Sequence, residues 1–315
     1  MFKQNYMKEG KGVEKRNPEA PRISVFFELL FRKFGRLIKL NLLYIVCCIP
    51  TFIVMMFLSG LLSSHFVNAS APVLAQIMGF ATPDMSNAEF SGMLAILDIG
   101  VRVVVSFIVA IMWGMGPVTA GFTYVLRNYA REEHAWLFSD FFGKAKQNFG
   151  QALVVWIIDL LAFVVLTTAF FFYSAQPGFL HYMSYVVLSV IILYTAMHFY
   201  IYQCMITFKL SIKDIFKNSA IFALVEAPKN LLLEFILMFV HLVLPYMAAL
   251  NGWSVWFWLI FIILELVVLV AASGFTVNFW VYPALEKYII EAEKKQDNTN
   301  DSEGSDKVDD IEYLM

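Results

Sequence analysis

Residues 152–173 read Ala-Leu-Val-Val-Trp-Ile-Ile-Asp-Leu-Leu-Ala-Phe-Val-Val-Leu-Thr-Thr-Ala-Phe-Phe-Phe-Tyr, with Asp159 the single charged side chain. At about 1.5 Å per residue, a helix of this length covers the ~30 Å hydrocarbon core of a bilayer. Lys144 and Lys146 stand just before it, and no Lys or Arg stands between it and the next apolar run. Working outward, the same pattern defines six stretches at about residues 40–62, 101–126, 152–173, 182–208, 231–250 and 253–282. Of the 23 Lys and Arg residues, the first, third, fifth and seventh flanking segments hold 10, 4, 4 and 4. The second, fourth and sixth hold none, and Arg102 lies just inside the second span. Positive residues stay on the cytoplasmic side, so the alternation sets six crossings with both termini inside. The expected fold is an all-α polytopic helical membrane protein.

Composition points the same way. A 315-residue chain that is 60% hydrophobic and 15% charged has too little polar surface for a soluble domain. The expected partner is the lipid bilayer, with no nucleic acid. The net charge of −2 averages a basic N-terminal segment, 1–24, against an acidic tail, 283–315, expected to be disordered in the cytoplasm. Cys47, Cys48 and Cys204 all fall within spans and imply neither disulfides nor a zinc site. Ala69-Ser70-Ala71 resembles a signal cleavage site, but the apolar run before it is too long and Pro72 follows, so the first span reads as a retained anchor.

The inner segments carry amphipathic elbow helices. Residues 25–36 interleave Phe26, Phe27, Phe31 and Phe34 with Glu28, Arg32, Lys33 and Arg36, the grammar of a helix lying at the membrane surface. It recurs over 139–149 and over 211–226, where Ser211 and Asp214 have capping-box spacing and Pro228 is expected to end the helix. Outside, residues 63–100 form the one sizeable segment. Ser86 and Glu89 place a helix start near Asn87, and Asp98 and Arg102 form an i, i+4 pair at the outer edge.

No catalytic motif, phosphate loop or metal-ligand spacing occurs, so no catalytic residue, metal or cofactor is expected. Four ionisable residues sit deep in spans: Asp159, His198, His241 and Glu265. Counting along the helices puts the carboxyls roughly 12–25 Å, and the histidines about 15 Å, from the inner edge. Buried charge at that depth is costly, so such groups face the bundle interior or a wet cavity. Two readings stay open: a substrate or proton path, or four residues separately satisfied by neighbouring helices. Gly114, Gly116, Pro117, Ala120 and Gly121 combine close-approach points with a helix-breaking proline. They read as a tight crossing with a kink, or as a broken helix that offers backbone groups to a ligand.

Several of these residues carry a resemblance. Asn41-Leu42-Leu43-Tyr44 with Cys48-Ile49-Pro50, the run from Gly116 to Gly121, and Arg127-Asn128 with Arg131-Glu132-Glu133 resemble the YesL-like family of Gram-positive bacterial integral membrane proteins. Phe138-Ser139-Asp140-Phe141-Phe142 with Lys146-Gln147-Asn148-Phe149 is similar to that family's Phe-rich segment, and 211–220 to a later elbow. In many members only a few residues join the proline of the first span to the Gly-Pro motif, so 63–100 is an enlargement here. The resemblance implies an accessory role beside carbohydrate ABC transporter subunits or a sensor kinase in the bacterial cell membrane. The expected function is thus non-enzymatic, with a small secondary transporter built on the mid-membrane polar residues as the alternative.

Overall fold

The computed structural model describes residues 21–290 apart from Trp113 and Gly252; most of the basic N-terminal segment, and the acidic tail from residue 291, lie outside the described residues. Every regular element among those residues is helical.

Helix α1, Arg22–Cys47, buries Leu29, Leu37, Leu40 and Tyr44, a spacing that lines one helical face. Pro50 then sits in the first turn of α2, Ile49–Leu58, and the two axes meet at 50°. The expected boundary between an elbow at 25–36 and a span beginning at residue 40 is therefore not a break. Nothing between Arg36 and Asn41 interrupts the hydrogen-bond ladder, whereas Pro50 cannot donate to it.

Helix α3, Gly60–Ile77, runs past the expected end of the first span. It stops in a Schellman turn, where Gly79 adopts φ +82° and the Phe80 amide donates to the Ala75 carbonyl. Helix α4, Ala88–Met112, starts where the sequence placed it: the Asn87 side chain accepts from the Glu89 and Phe90 amides at 3.0 Å. The segment 63–100 is thus mainly the continuation of these two helices, closed by Ala75, Phe90 and Leu94. Asp98 and Arg102 pair at 2.8 Å.

The expected second span, 101–126, is divided. Gly114 takes the left-handed conformation at φ +62°, and α5, Gly116–Ala130, begins afresh. Pro117 falls in its first turn, where a missing N–H costs nothing, so it opens a helix instead of kinking one.

Helix α6, Leu137–Gln147, is the short helix expected before the third span, and α7, Phe149–Ser174, is that span. Helix α8, Phe179–Thr207, returns antiparallel after a turn at Gly178. Helix α9, Ile212–Val225, is the other expected short helix, capped by the Ser211 hydroxyl accepting from the Asp214 amide. It ends before Pro228, which sits in the first turn of α10, Ala227–Met238. Then follow a π-helical turn π1, Phe239–Val243; α11, Leu244–Leu250; α12, Val255–Leu264; π2, Glu265–Leu269; α13, Val270–Leu285; and π3, Glu286–Ile290.

Four described helices are long and apolar enough to cross a membrane: Ala88–Ala110, Phe149–Ser174, Phe179–Thr207 and Val255–Tyr288. The bent pair α1–α2 makes a fifth when its two helices are counted as one span. Leu161, Val165 and Phe172 of α7 and Ile260 and Ile263 of α12 point outward and stay exposed, as lipid-facing side chains do. The chain is a membrane-embedded, multi-pass helical protein. One core joins α1, α5, π2 and α13 around Leu37, Leu126 and Phe275. A second joins α7, α8, α9 and α13 around Val155, Ile201 and Leu285.

Candidate functional site: two buried histidine–carboxylate pairs

Helix α8 repeats polar residues every fourth position, at Tyr194, His198 and Tyr202, so they share one face. That face meets α7 at Asp159. The Tyr194 hydroxyl donates to Asp159 Oδ1 at 2.6 Å, and His198 Nε2 lies 2.8 Å from the same oxygen. Side-chain exposure is 1% for Asp159 and 8% for His198, which removes the pair from solvent. Asp159 Oδ2 and the Tyr202 hydroxyl are buried without a hydrogen-bond partner among the described residues. A cavity of about 180 Å³, lined by Val109, Phe163, Leu166 and Thr195, abuts Tyr194. Thr195 in turn donates to Glu234 on α10.

The second pair is built from two π-helical turns. His241 lies in π1 and Glu265 opens π2. His241 Nδ1 sits 2.7 Å from Glu265 Oε1, and its Nε2 sits 2.8 Å from the Ser273 hydroxyl. A π turn takes carbonyls and amides out of the ordinary helical ladder, and in an apolar bundle these need other partners. Asn41 of α1 supplies them. Its amide donates to the Glu265 and Leu266 carbonyls at 3.1 and 2.9 Å, while its Oδ1 accepts from the Ala271 amide at 2.6 Å.

In either pair one proton can reside on imidazole, leaving imidazolium and carboxylate, or on the carboxyl, leaving two neutral groups. Both arrangements are net neutral, which is what makes burial in the bundle tolerable. Each pair is therefore a place where a proton can be held and moved over a single hydrogen bond. Among the described residues no three His, Cys, Asp or Glu side chains gather as a cation ligand set.

The four mid-span residues thus come together as two pairs, Asp159 with His198 and Glu265 with His241, each on its own helix interface. The sequence reading missed Tyr194, Ser273, Glu234 and Asn41. Tyr194 carried a signal, since it precedes His198 by one turn. Asn41 stood out only as part of the family-like motif, and its hydrogen-bonding role carried no local signal, because its partners lie more than 220 residues away.

The glycine motif serves packing. A Cβ on Gly116 would collide with the Ala152 carbonyl of α7, and one on Gly121 with the Phe141 carbonyl of α6. Ala120 is fully buried between them. At the break, the Gly114 carbonyl accepts from the Thr51 hydroxyl at 3.0 Å, and Trp156 Nε1 donates to that same hydroxyl at 3.1 Å. The backbone freed by the break is engaged by other helices.

A family model described as a protein of unknown function, DUF624, matches residues 100–170. That stretch takes in the end of α4, all of α5 and α6, and α7 as far as Phe170, so it includes the glycine motif and Asp159. Comparison with curated proteins and with solved structures gave no match.

Proposed function

We propose that the chain is a YesL-like, six-span protein of a Gram-positive bacterial membrane, with both termini cytoplasmic, acting as a non-enzymatic accessory to carbohydrate ABC uptake or to a sensor kinase that regulates it. The alternating Lys/Arg distribution supports six crossings, α10–π1–α11 supplying the one that falls short as a single regular helix. The observation that carries the accessory role is the platform at the basic end of the bundle. There α6 is packed on α5 through Gly121, and α9 is packed on α8 through Phe222 and Tyr200, whose rings stack at 5.4 Å. Two short, rigidly held helices with cationic outer faces suit a partner-facing surface better than a mobile gate. The resemblance to the YesL-like family supplies the partner class. Affinity purification of the full chain from native membranes tests this: a transporter or kinase subunit should co-purify in near-stoichiometric amount. Recovery of bulk lipid alone overturns it.

One observation favours a second reading, a small proton-linked secondary transporter. Both members of the His241–Glu265 pair lie in π turns, which recur at functional sites because they put a side chain out of helical register. Reconstitution into vesicles with an internal pH dye tests this. Acidification that Glu265→Gln abolishes supports transport, and absence of flux under all gradients removes it.

A further inference from the structure

At the basic end of the bundle, α1 and the segment between α5 and α6 enclose an open cleft of about 670 Å³. The geometry points to a binding site for an anionic phospholipid headgroup here, with Arg36 and Lys39 holding the phosphate.

The charge pattern comes first. Arg32, Arg36 and Lys39 fall at i, i+4 and i+7 on α1 and so form one stripe. Arg32 is engaged by Glu28 at 3.3 Å and by Glu132. Glu133 is taken by Arg131 at 2.9 Å, and Asp140 accepts from the Trp136 amide at 2.7 Å. Glu132 and Glu133 are thereby taken up by Arg32 and Arg131, and Arg36 and Lys39 line the cleft with no ion pair among the described residues. Lys39 lies only two residues from Asn41, which is fully buried. Its ammonium must run along the apolar surface to reach the polar boundary, where phosphates sit.

The walls come second. Tyr129, His134, Trp136 and Phe138 line the opposite side. Trp136 and Phe138 are 68% and 63% exposed and stand beside the cationic residues of the cleft, the placement of aromatic rings at a headgroup boundary. His134 and Trp136 contact edge to face at 4.6 Å. The turn that presents them is held in a costly conformation. Glu132 takes φ +62° in a Schellman turn, with the Glu133 amide donating to the Asn128 carbonyl. Two cations that are unpaired among the described residues, facing a half-apolar, aromatic wall, fit an anion that is joined to acyl chains. A free inorganic anion would gain nothing from Trp136 and Phe138.

The test uses the full chain, purified in detergent and equilibrated with a mixture of phosphatidylcholine and phosphatidylglycerol, with retained lipid counted by native mass spectrometry. Phosphatidylglycerol should be retained over phosphatidylcholine. Arg36→Gln combined with Lys39→Gln should weaken that retention by about five-fold or more per cation removed. Arg36→Lys, which keeps the charge, should retain lipid and so separates headgroup binding from a folding defect. Lys213→Gln combined with Lys217→Gln removes the same charge from α9 and should leave retention unchanged. Equal retention in the Arg36/Lys39 variant overturns the site, as does equal loss in the Lys213/Lys217 variant. Displacement of the lipid by millimolar inorganic phosphate would also overturn it, assigning the cations to a free anion instead.

Discussion

Asn41 closes the π turn that begins at Glu265. One side chain on α1 satisfies two carbonyls and one amide of a segment more than 220 residues away. The geometry of the His241–Glu265 pair depends on that closure, because the register of Glu265 is set by the turn it opens.

Asn41→Leu removes three hydrogen bonds to buried backbone groups at the π turn. A buried hydrogen bond contributes about 0.5–1.5 kcal/mol, so losing three should cost the variant ~1.5–4.5 kcal/mol of stability. Thermal unfolding in detergent should show a large drop. A melting temperature equal to that of the parent would mean that π2 does not need Asn41.

Within the second pair, a double-mutant cycle of His241→Phe and Glu265→Leu should show strong coupling. Either single change strands a polar partner in the bundle, costing about 3–5 kcal/mol, whereas the double change removes both. The double variant should therefore be more stable than the sum of the two single losses implies, by ~2 kcal/mol or more. Strict additivity would show that the two groups do not act as a pair.

Gly116→Ala and Gly121→Ala should each cost about 1–3 kcal/mol, because the new methyl meets a neighbouring backbone carbonyl. Gly143→Ala, inside α6 with open space around it, should have the opposite sign and stabilise by ~0.5–1 kcal/mol. Denaturation curves for the three variants would expose any error in the α5–α6–α7 packing.

At the corner between α9 and α10, the ammonium of Lys229 donates to Glu226 at 2.8 Å and holds that carboxyl below its ordinary value of 4.5. A depressed carboxylate stabilises the fold above the unfolded value, and this contribution disappears as pH falls through the folded value. Glu226→Gln should flatten the acid limb of the stability profile below about pH 4.5 and leave the neutral region nearly unchanged. An identical acid limb in parent and variant would refute the linkage.

Single cysteines test the six-span topology directly. Replacing Lys144 or Lys213 should give labelling by an impermeant maleimide only after the membrane is opened, whereas a cysteine at Asn87 should label in intact cells. External labelling at Lys144 would overturn both the topology and the partner surface at the basic end.

The features legible in the sequence were those with local causes. Asn87 and Ser211 cap helices because their side chains reach amides two or three residues on. Asp98 and Arg102 meet because helical periodicity puts them one turn apart. The elbows at α6 and α9 stand out because a Phe-rich, Lys-bearing run is separated from its span by Asn148 in one case and Pro228 in the other. What stayed hidden has distant causes. The first elbow merged into α1 because no residue between Arg36 and Asn41 disfavours helix. The π turns at His241 and Glu265 have no local composition that separates them from α-helix, and partners such as Asn41 are set by the tertiary packing. Asp159 and Glu265 were visible as misfit charges, yet their choice of histidine depends on how the helices are laid together.

The Thr51–Gly114 hydrogen bond has a topological consequence. The bend after α1 and the break before α5 are tied together at 3.0 Å, so the stretch that holds α2, α3 and α4 begins and ends at one point of the bundle. The stretch from residue 52 to residue 112 is a loop of helices whose two ends are joined. A change of length confined to the turn between α3 and α4 is the one this tie leaves room for, because α3 and α4 themselves touch the rest of the bundle through His65 on Phe171 and Phe107 on the core of α1 and α5.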